Sequence, residues 1–194
     1  MPVLHLLAGP NGAGKSSYVH DVLFPATRLR FINANMIASE QWPNAPAEHA
    51  YQAAQTAEAQ RRNLMAAGVS FISETVFSHP SKTALVADAS ALGCLVHLHI
   101  ILVPVDLAVQ RVAERVRRGG HPVPEEKIRQ RYDRIWGHVA TALKIADVSV
   151  LLDNSSSKKP YRLCATYLRG SLVGTAMWPK WLSAIAPLPP GKFF

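Results

Sequence analysis

Cysteine is scarce: Cys94 and Cys164 are the only two among 194 residues. Their spacing fits no metal-binding pattern, so a disulfide framework and a cysteine-ligated metal are excluded, and both are expected to be reduced, buried, small hydrophobes. No run approaches the ~20 apolar residues of a membrane span, and the first apolar run lacks the basic flank and small-residue cleavage site of a secretion signal. No membrane partner is expected, and the expected compartment is cytoplasmic. Acidic residues are also in short supply, 13 against 21 Lys and Arg, leaving a formal net charge of +8. That surplus raises nucleic acid as a partner, but no clustered aromatics accompany the arginines, and single-strand binding usually relies on stacking platforms. Nucleic acid is therefore not the expected partner. The length suits one domain, residues 1–194, with a well-buried core and an ordinary soluble composition of 48% hydrophobic and 18% charged residues.

What is present is sharper. Gly9-Pro10-Asn11-Gly12-Ala13-Gly14-Lys15-Ser16, followed by Ser17, fits the phosphate-loop pattern G-x-x-x-x-G-K-[ST]. It follows an apolar run, Val3 to Ala8, suited to a buried strand, and precedes a segment from Ser16 to Phe24 that can continue as a helix. Glycines let the backbone curl so that N–H groups face phosphate oxygens, and the helix N-terminus adds a dipole favourable to negative charge. On this reading Lys15 reaches the β and γ phosphates of ATP, and the Ser16 hydroxyl is a ligand for Mg²⁺. The plain alternative is a chance glycine-rich turn before a helix.

The remaining chain alternates strands and helices. Phe31-Ile32-Asn33 ends a second strand. A long helix follows, with Pro46 in its first turn, Glu48 near its start and Gly68 closing it. Val69 to Ser73 is a third strand ending at Glu74, Ser78 caps a helix through Leu92, and Leu95 to Val103 is a fourth strand. A helix from Asp106 toward Gly119 and another from Pro124 to about Ala146 precede a fifth strand, Val148 to Leu152, which ends at Asp153-Asn154-Ser155. Tyr161–Leu168 and Ser171–Thr175, joined at Arg169-Gly170, read as a C-terminal hairpin (about 161–175), Trp178 and Trp181 as packing, and Pro187 to Phe194 as a loose tail. The expected fold class is α/β: a P-loop NTPase/kinase-like three-layer sandwich with a mostly parallel sheet, an arginine-rich lid and a small hairpin. Ligands then sit beyond the C-terminal strand ends, where the phosphate loop, Asn33 to Asn35 and Glu74-Thr75 all fall.

Much of the positive charge lies in one stretch. Seven arginines between Arg111 and Arg134 flank Gly119-Gly120-His121-Pro122-Val123-Pro124, and Arg111, Arg115 and Arg118 share one helix face. That face suits a polyphosphate, with residues 111–132 as a lid. A solvated basic helix partly paired with Glu114, Glu125 and Glu126 is the alternative for any single arginine. His97 and His99 alternate with apolar neighbours, which reads as one polar strand face rather than a metal site.

Five blocks together resemble the zeta-toxin family of P-loop kinases: AGPNGAGKSS at 8–17, FINANMIA at 31–38, FISETVFS at 71–78, RVAERVRRGGHPVPEEKIRQRY at 111–132 and DNS at 153–155. The resemblance implies ATP-dependent phosphorylation of a small-molecule hydroxyl, with UDP-N-acetylglucosamine the substrate of the known toxins and an antitoxin protein as a partner. By that resemblance Arg115 and Arg118 look like the mobile arginines that close over the γ phosphate, with Arg111 as a third. Glu74 matches a glutamate facing the acceptor, with Thr75 beside it, and satisfaction by an arginine or a helix terminus is its alternative. His121, in the Gly-Gly lid, suits either a phosphate or purine contact or a plain structural hydrogen bond.

Two departures stand out. Where relatives carry Asn-Ala-Asp, with the aspartate as catalytic base, this chain reads Asn33-Ala34-Asn35. An amide cannot take a proton at neutral pH, and loss of a base costs on the order of 10²- to 10⁴-fold in rate. Glu74 as base, a weakened or purely ATP-binding relative, and another carboxylate such as Glu40 in the role are all open. Asn35 capping the helix that begins near Met36 is the structural account. Val76 stands where relatives often have threonine, removing one substrate hydrogen bond. A nucleoside or nucleotide kinase fits the loop, lid and sheet equally well.

Overall fold

In the computed structural model, which describes residues 1–120, 122–184 and 192–193, the first apolar run forms β1 (Val3–Ala8) at the middle of a sheet. It pairs in parallel with β3 (Phe71–Thr75) on one side and β4 (Leu95–Leu102) on the other. Beyond these lie β2 (Arg30–Ile32), parallel to β3, and β5 (Val148–Asp153), parallel to β4. The hairpin β6 (Arg162–Leu168) and β7 (Ser171–Val173) does not stand apart. It continues the same sheet antiparallel to β5, giving the open order β2-β3-β1-β4-β5-β6-β7. Seven strands, mostly parallel, are thus the frame.

Side-chain alternation along β1 feeds two cores. Leu4, Leu6 and Ala8 face one, with Ala53 and Ala57 of α4 (Ala50–Ala66), Val86 of α5 (Pro80–Ala91), and Tyr132, Ile135 and Trp136 of α7 (Glu125–Leu143). Leu7 faces the other, with Val19, Leu23, and Ala108 and Val112 of α6 (Val105–Arg117). Apolar faces on both sides explain why the strands read as near-continuous apolar runs, as buried parallel strands must. Trp178 is buried and Trp181 packs partly buried against the first core.

Several boundaries differ from the sequence expectations for local reasons. The first helix runs past Phe24: α1 (Lys15–Tyr18) passes through a π-helical turn at Val19–Leu23 into α2 (Phe24–Thr27). Pro25 has no N–H for the Asp21 carbonyl, and the widened turn takes up that break. The long helix, α4, opens only at Ala50, because residues 42–49, with Pro43 and Pro46 among them, turn between it and a separate short helix, α3 (Ala34–Gln41). Pro46 and Glu48 therefore precede α4 rather than open it. Asn33, not Asn35, caps α3: its Oδ1 accepts from the backbone N–H of Asn35 (2.8 Å) and Met36 (3.4 Å). His79, not Ser78, caps α5, since Pro80 fits the first helical position and leaves the preceding residue as cap. Part of the tail is ordered as strand, with Met177–Trp178 (β8) pairing in parallel with Lys192–Phe193 (β9); the rest of the tail lies outside the described residues.

His99 is buried rather than on a polar face. One of the two rings donates across a 3.1 Å contact between His5 Nδ1 and His99 Nε2, and the Tyr18 ring lies against His99. Burial, reinforced by the neighbouring imidazoles, lowers His5 to about 4 and His99 to about 3. Among the described residues no cluster of His, Cys, Asp or Glu could hold a metal ion, and no helix is long and apolar enough to cross a membrane.

Candidate active site

The phosphate loop spans from the end of β1 to α1, and its backbone geometry is tied to its neighbours. Gly12 has φ +76°, and a Cβ there would meet the Ala108 carbonyl oxygen at 2.5 Å. Gly14, at φ +90°, caps α1 in the left-handed region, and a Cβ would strike the Asn154 amide at 2.5 Å. Only glycine fits either position. Two residues past β5 hold the loop from outside: Asn154 Nδ2 donates to the Ala13 carbonyl at 2.8 Å, and the Tyr161 hydroxyl to the Gly14 carbonyl at 3.0 Å. From the lid side, Arg131 donates to Asn11 Oδ1 at 3.4 Å.

Lys15 is 5% exposed. Its ammonium donates to the Gly9 and Pro10 carbonyls (3.0 and 2.9 Å) and lies 3.7 Å from Glu74 Oε1. Burial pulls its pKa down, partly offset by the attraction of Glu74. Glu74, carried to the loop because Leu7 of β1 is its register partner on β3, binds three groups at once. Its Oε2 accepts from the Ser16 hydroxyl at 2.6 Å and from Asn33 Nδ2 at 2.9 Å. The Asn33 side chain therefore caps α3 with its oxygen and steadies Glu74 with its amide. Ser16 Oγ is the hard oxygen that the serine of a phosphate loop offers to Mg²⁺, and the Glu74 carboxylate lies beside it.

Two hollows meet at this point. One, about 380 Å³, is lined by the phosphate loop with Lys15, Ser16, Ser17, Arg111, Asn154 and Tyr161. The other, about 330 Å³, extends over Thr75, Phe77, three alanines of α4, Arg61, Lys82 and Arg131. Asn11, Asn35, Glu74, Val76 and Arg115 belong to both and form their common wall. Phe77, which lines the second hollow only, holds φ +66°, with its N–H donating to Thr75 Oγ1 at 3.1 Å. A strained non-glycine residue of this kind is typical of functional loops.

Of the residues singled out from sequence, the loop residues Gly9 to Ser17 with Asn35, Glu74, Thr75, Arg111 and Arg115 converge here. Arg118 is exposed at the end of α6 and lines neither hollow, and Glu40 is exposed on α3 and also lines neither. His121 lies outside the described residues. The arginine pairings also differ from expectation. Arg129 joins α6 to α7 through Asp106 (2.8 Å) and Glu125 (2.9 Å), whereas Glu114 and Glu126 accept from Gln110 and Gln130. Tyr161, Arg61, Lys82 and the bond from Asn33 to Glu74 were not legible in the chain, because each depends on segments distant in sequence coming together.

A family model described as AAA domain (AAA_33) matches residues 4–135. No curated protein matches the sequence. Among solved structures, a chain of the AvrRxo1-ORF1:-ORF2 complex with ATP is 15% identical with a TM-score of 0.71, over 89% of this chain and 60% of that one. This chain thus spans less than two thirds of that relative's length. A chain of the PezAT chromosomal toxin-antitoxin system of Streptococcus pneumoniae is 16% identical, TM-score 0.59, over 79% and 68%. Shikimate kinase from Acinetobacter baumannii, in complex with shikimate, is 16% identical, TM-score 0.51, over 81% and 86%. At these identities the likenesses show a shared fold. With the family model covering more than half of the chain, on a phosphate loop set in an open, mostly parallel sheet, the protein belongs to the AAA domain family (AAA_33) and has a P-loop kinase-like fold.

Proposed function

We propose that the protein is an ATP- and Mg²⁺-dependent phosphotransferase of zeta-toxin type that phosphorylates a hydroxyl of a small molecule, UDP-N-acetylglucosamine or a related sugar nucleotide. The observation that carries this reading is the pair of hollows joined at Asn35, Glu74 and Arg115. A donor and an acceptor fit on opposite sides of one wall, the arrangement that direct transfer between two bound molecules requires.

Each residue then has a task. Loop N–H groups and Lys15 hold the β and γ phosphates, Lys15 exchanging the Gly9 and Pro10 carbonyls for phosphate oxygens. Ser16 is the residue that would hold Mg²⁺, and the ion would supply charge neutralisation on the phosphates. The acceptor oxygen attacks the γ phosphorus, the bond to the bridging oxygen breaks, and ADP leaves. The hydroxyl proton passes to the Glu74 carboxylate, since Asn35 cannot take it. Asn35 orients the acceptor hydroxyl, while Arg115, with Arg111 and on closure Arg118 and His121, stabilises the charge on the transferring group. The setting is read as cytoplasmic. An antitoxin-like protein partner belongs to the same reading, supported by the complexes and the toxin-antitoxin system named for two of the structural neighbours.

The test is mass spectrometry of native protein incubated with ATP, Mg²⁺ and a pool of sugar nucleotides, beside Lys15→Ala and Asn35→Asp. A phosphorylated sugar nucleotide that is absent with Lys15→Ala supports the reading. Product only from Asn35→Asp supports the second reading, an ATP-binding regulatory protein with a disabled base, which Asn35 itself favours. Product on added nucleosides or nucleotides instead would redirect the assignment to a nucleotide kinase.

A further inference from the structure

The two glycines that follow α6 meet different needs. Both belong to one cap: the Gly119 N–H donates to the Val116 carbonyl at 2.9 Å, and the N–H groups of Arg118 and Gly120 donate to the Arg115 carbonyl at 3.1 and 2.9 Å. Gly119 holds φ +84°, and a Cβ there would meet nothing within 4 Å, so backbone conformation is what calls for glycine. Gly120 has no left-handed φ. What glycine supplies there is space: a Cβ would stand 2.5 Å from Arg115 Cγ, 3.2 Å from its Cδ and 2.9 Å from its carbonyl oxygen.

The stem of Arg115 therefore lies against bare backbone, nearer than a side chain at position 120 would allow. Arg115 lines both hollows, and its positive charge is felt at Lys15, whose ammonium it disfavours. Two cations facing one hollow repel until an anion lies between them, which is where a γ phosphate belongs. Arg118 is exposed and lines neither hollow. The arginine that reaches the wall is thus the one onto whose stem the chain folds back.

We infer that Gly120 is a positioning residue for Arg115: its bare Cα lets the cap close onto the arginine stem and sets the guanidinium in the wall between the hollows before any nucleotide binds. This rests on the kinase reading above, in which Arg115 meets the transferring phosphoryl group. The stem loses its freedom when the cap folds, so binding a γ phosphate costs less side-chain entropy. Only Arg118 is then left to arrive by closure of the lid.

The test compares two probes on the full chain by calorimetry, MgADP and the Mg²⁺ complex of a non-hydrolysable ATP analogue, whose difference in affinity reads the γ phosphate. Gly120→Ala is expected to weaken the analogue about tenfold, the loss of one charge-assisted contact, and to leave MgADP unchanged. In an Arg115→Gln background the same substitution should cost nothing further, since both changes remove one interaction. Nitrogen-15 relaxation of the Arg115 Nε–H, assigned by its loss in Arg115→Gln, reads the positioning directly. In nucleotide-free native protein its order parameter should be near 0.85, as in rigid backbone, and in Gly120→Ala it should fall below about 0.6. A mobile Arg115 in the native protein overturns the inference, and that measurement decides alone if Gly120→Ala fails to fold. Analogue binding indifferent to Gly120→Ala, weakened equally in the Arg115→Gln background, or lost together with MgADP binding also overturns it. Native protein that binds neither probe would instead overturn the kinase reading beneath it.

Discussion

The Ser16 hydroxyl donates to Glu74 Oε2 at 2.6 Å, linking the first turn after the phosphate loop to the end of the neighbouring strand. Removing either partner should separate two effects. Ser16→Ala is expected to raise the Mg²⁺ concentration needed for half-maximal turnover about tenfold, whereas Glu74→Gln lowers kcat on the order of 10²- to 10⁴-fold with ATP-analogue affinity largely kept. Steady-state kinetics across a Mg²⁺ series reads both.

Gly14→Ala places a methyl group at φ +90° and against the Asn154 amide. A loss of about 1–3 kcal/mol in stability is expected from the strain, together with loss of ATP-analogue binding as the loop shifts. Urea denaturation and calorimetry measure the pair. A variant of native stability and native affinity would show that the loop tolerates a side chain there.

Arg115 and Arg118 should differ. Arg115 belongs to the wall shared by both hollows, and Arg118 is exposed beyond it. Arg115→Gln is expected to lower kcat on the order of 10²- to 10³-fold, as loss of a group that stabilises transition-state charge does. Arg118→Gln should cost far less. Equal losses in single-turnover measurements would mean that the lid swings Arg118 into the same place.

The contact between half-buried His5 and buried His99 predicts an acid-sensitive fold. Both imidazoles are held neutral, His5 lowered to about 4 and His99 to about 3, so well above pH 6.5 these two sites carry no proton in either the folded or the unfolded chain. Below 6.5 the unfolded chain gains protons that the folded one refuses, and stability falls as the pH drops toward those values. His97 and Tyr18 pack against the same pair. Thermal melts should therefore fall between pH 6.5 and 5, ahead of the carboxylate range, and His99→Phe should flatten that segment of the profile.

The loop, the strand order of alternating units and the placement of Glu74 were legible because each rests on local pattern: a glycine motif, apolar runs and a strand end. Boundaries moved where proline chemistry competed, as at Pro25, Pro43 and Pro80. What the chain concealed depends on distant contacts. Asn33, a local helix cap, gained its bond to Glu74 only once β2 lay beside β3, and Tyr161 reached the loop across 147 residues. Arg61 carries no local signal, because only the packing of α4 onto the core shows that it is buried.

The most direct test of phosphoryl transfer uses ATP whose γ phosphate carries three ¹⁸O atoms, incubated with native protein, Mg²⁺ and a pool of phosphorylated hydroxyl compounds, with isotope-resolved mass spectrometry of every product. The labelled phosphoryl group should appear intact on an organic hydroxyl with native protein and be strongly diminished with Glu74→Gln. Label found only in inorganic phosphate, or left entirely in ATP, would contradict the account.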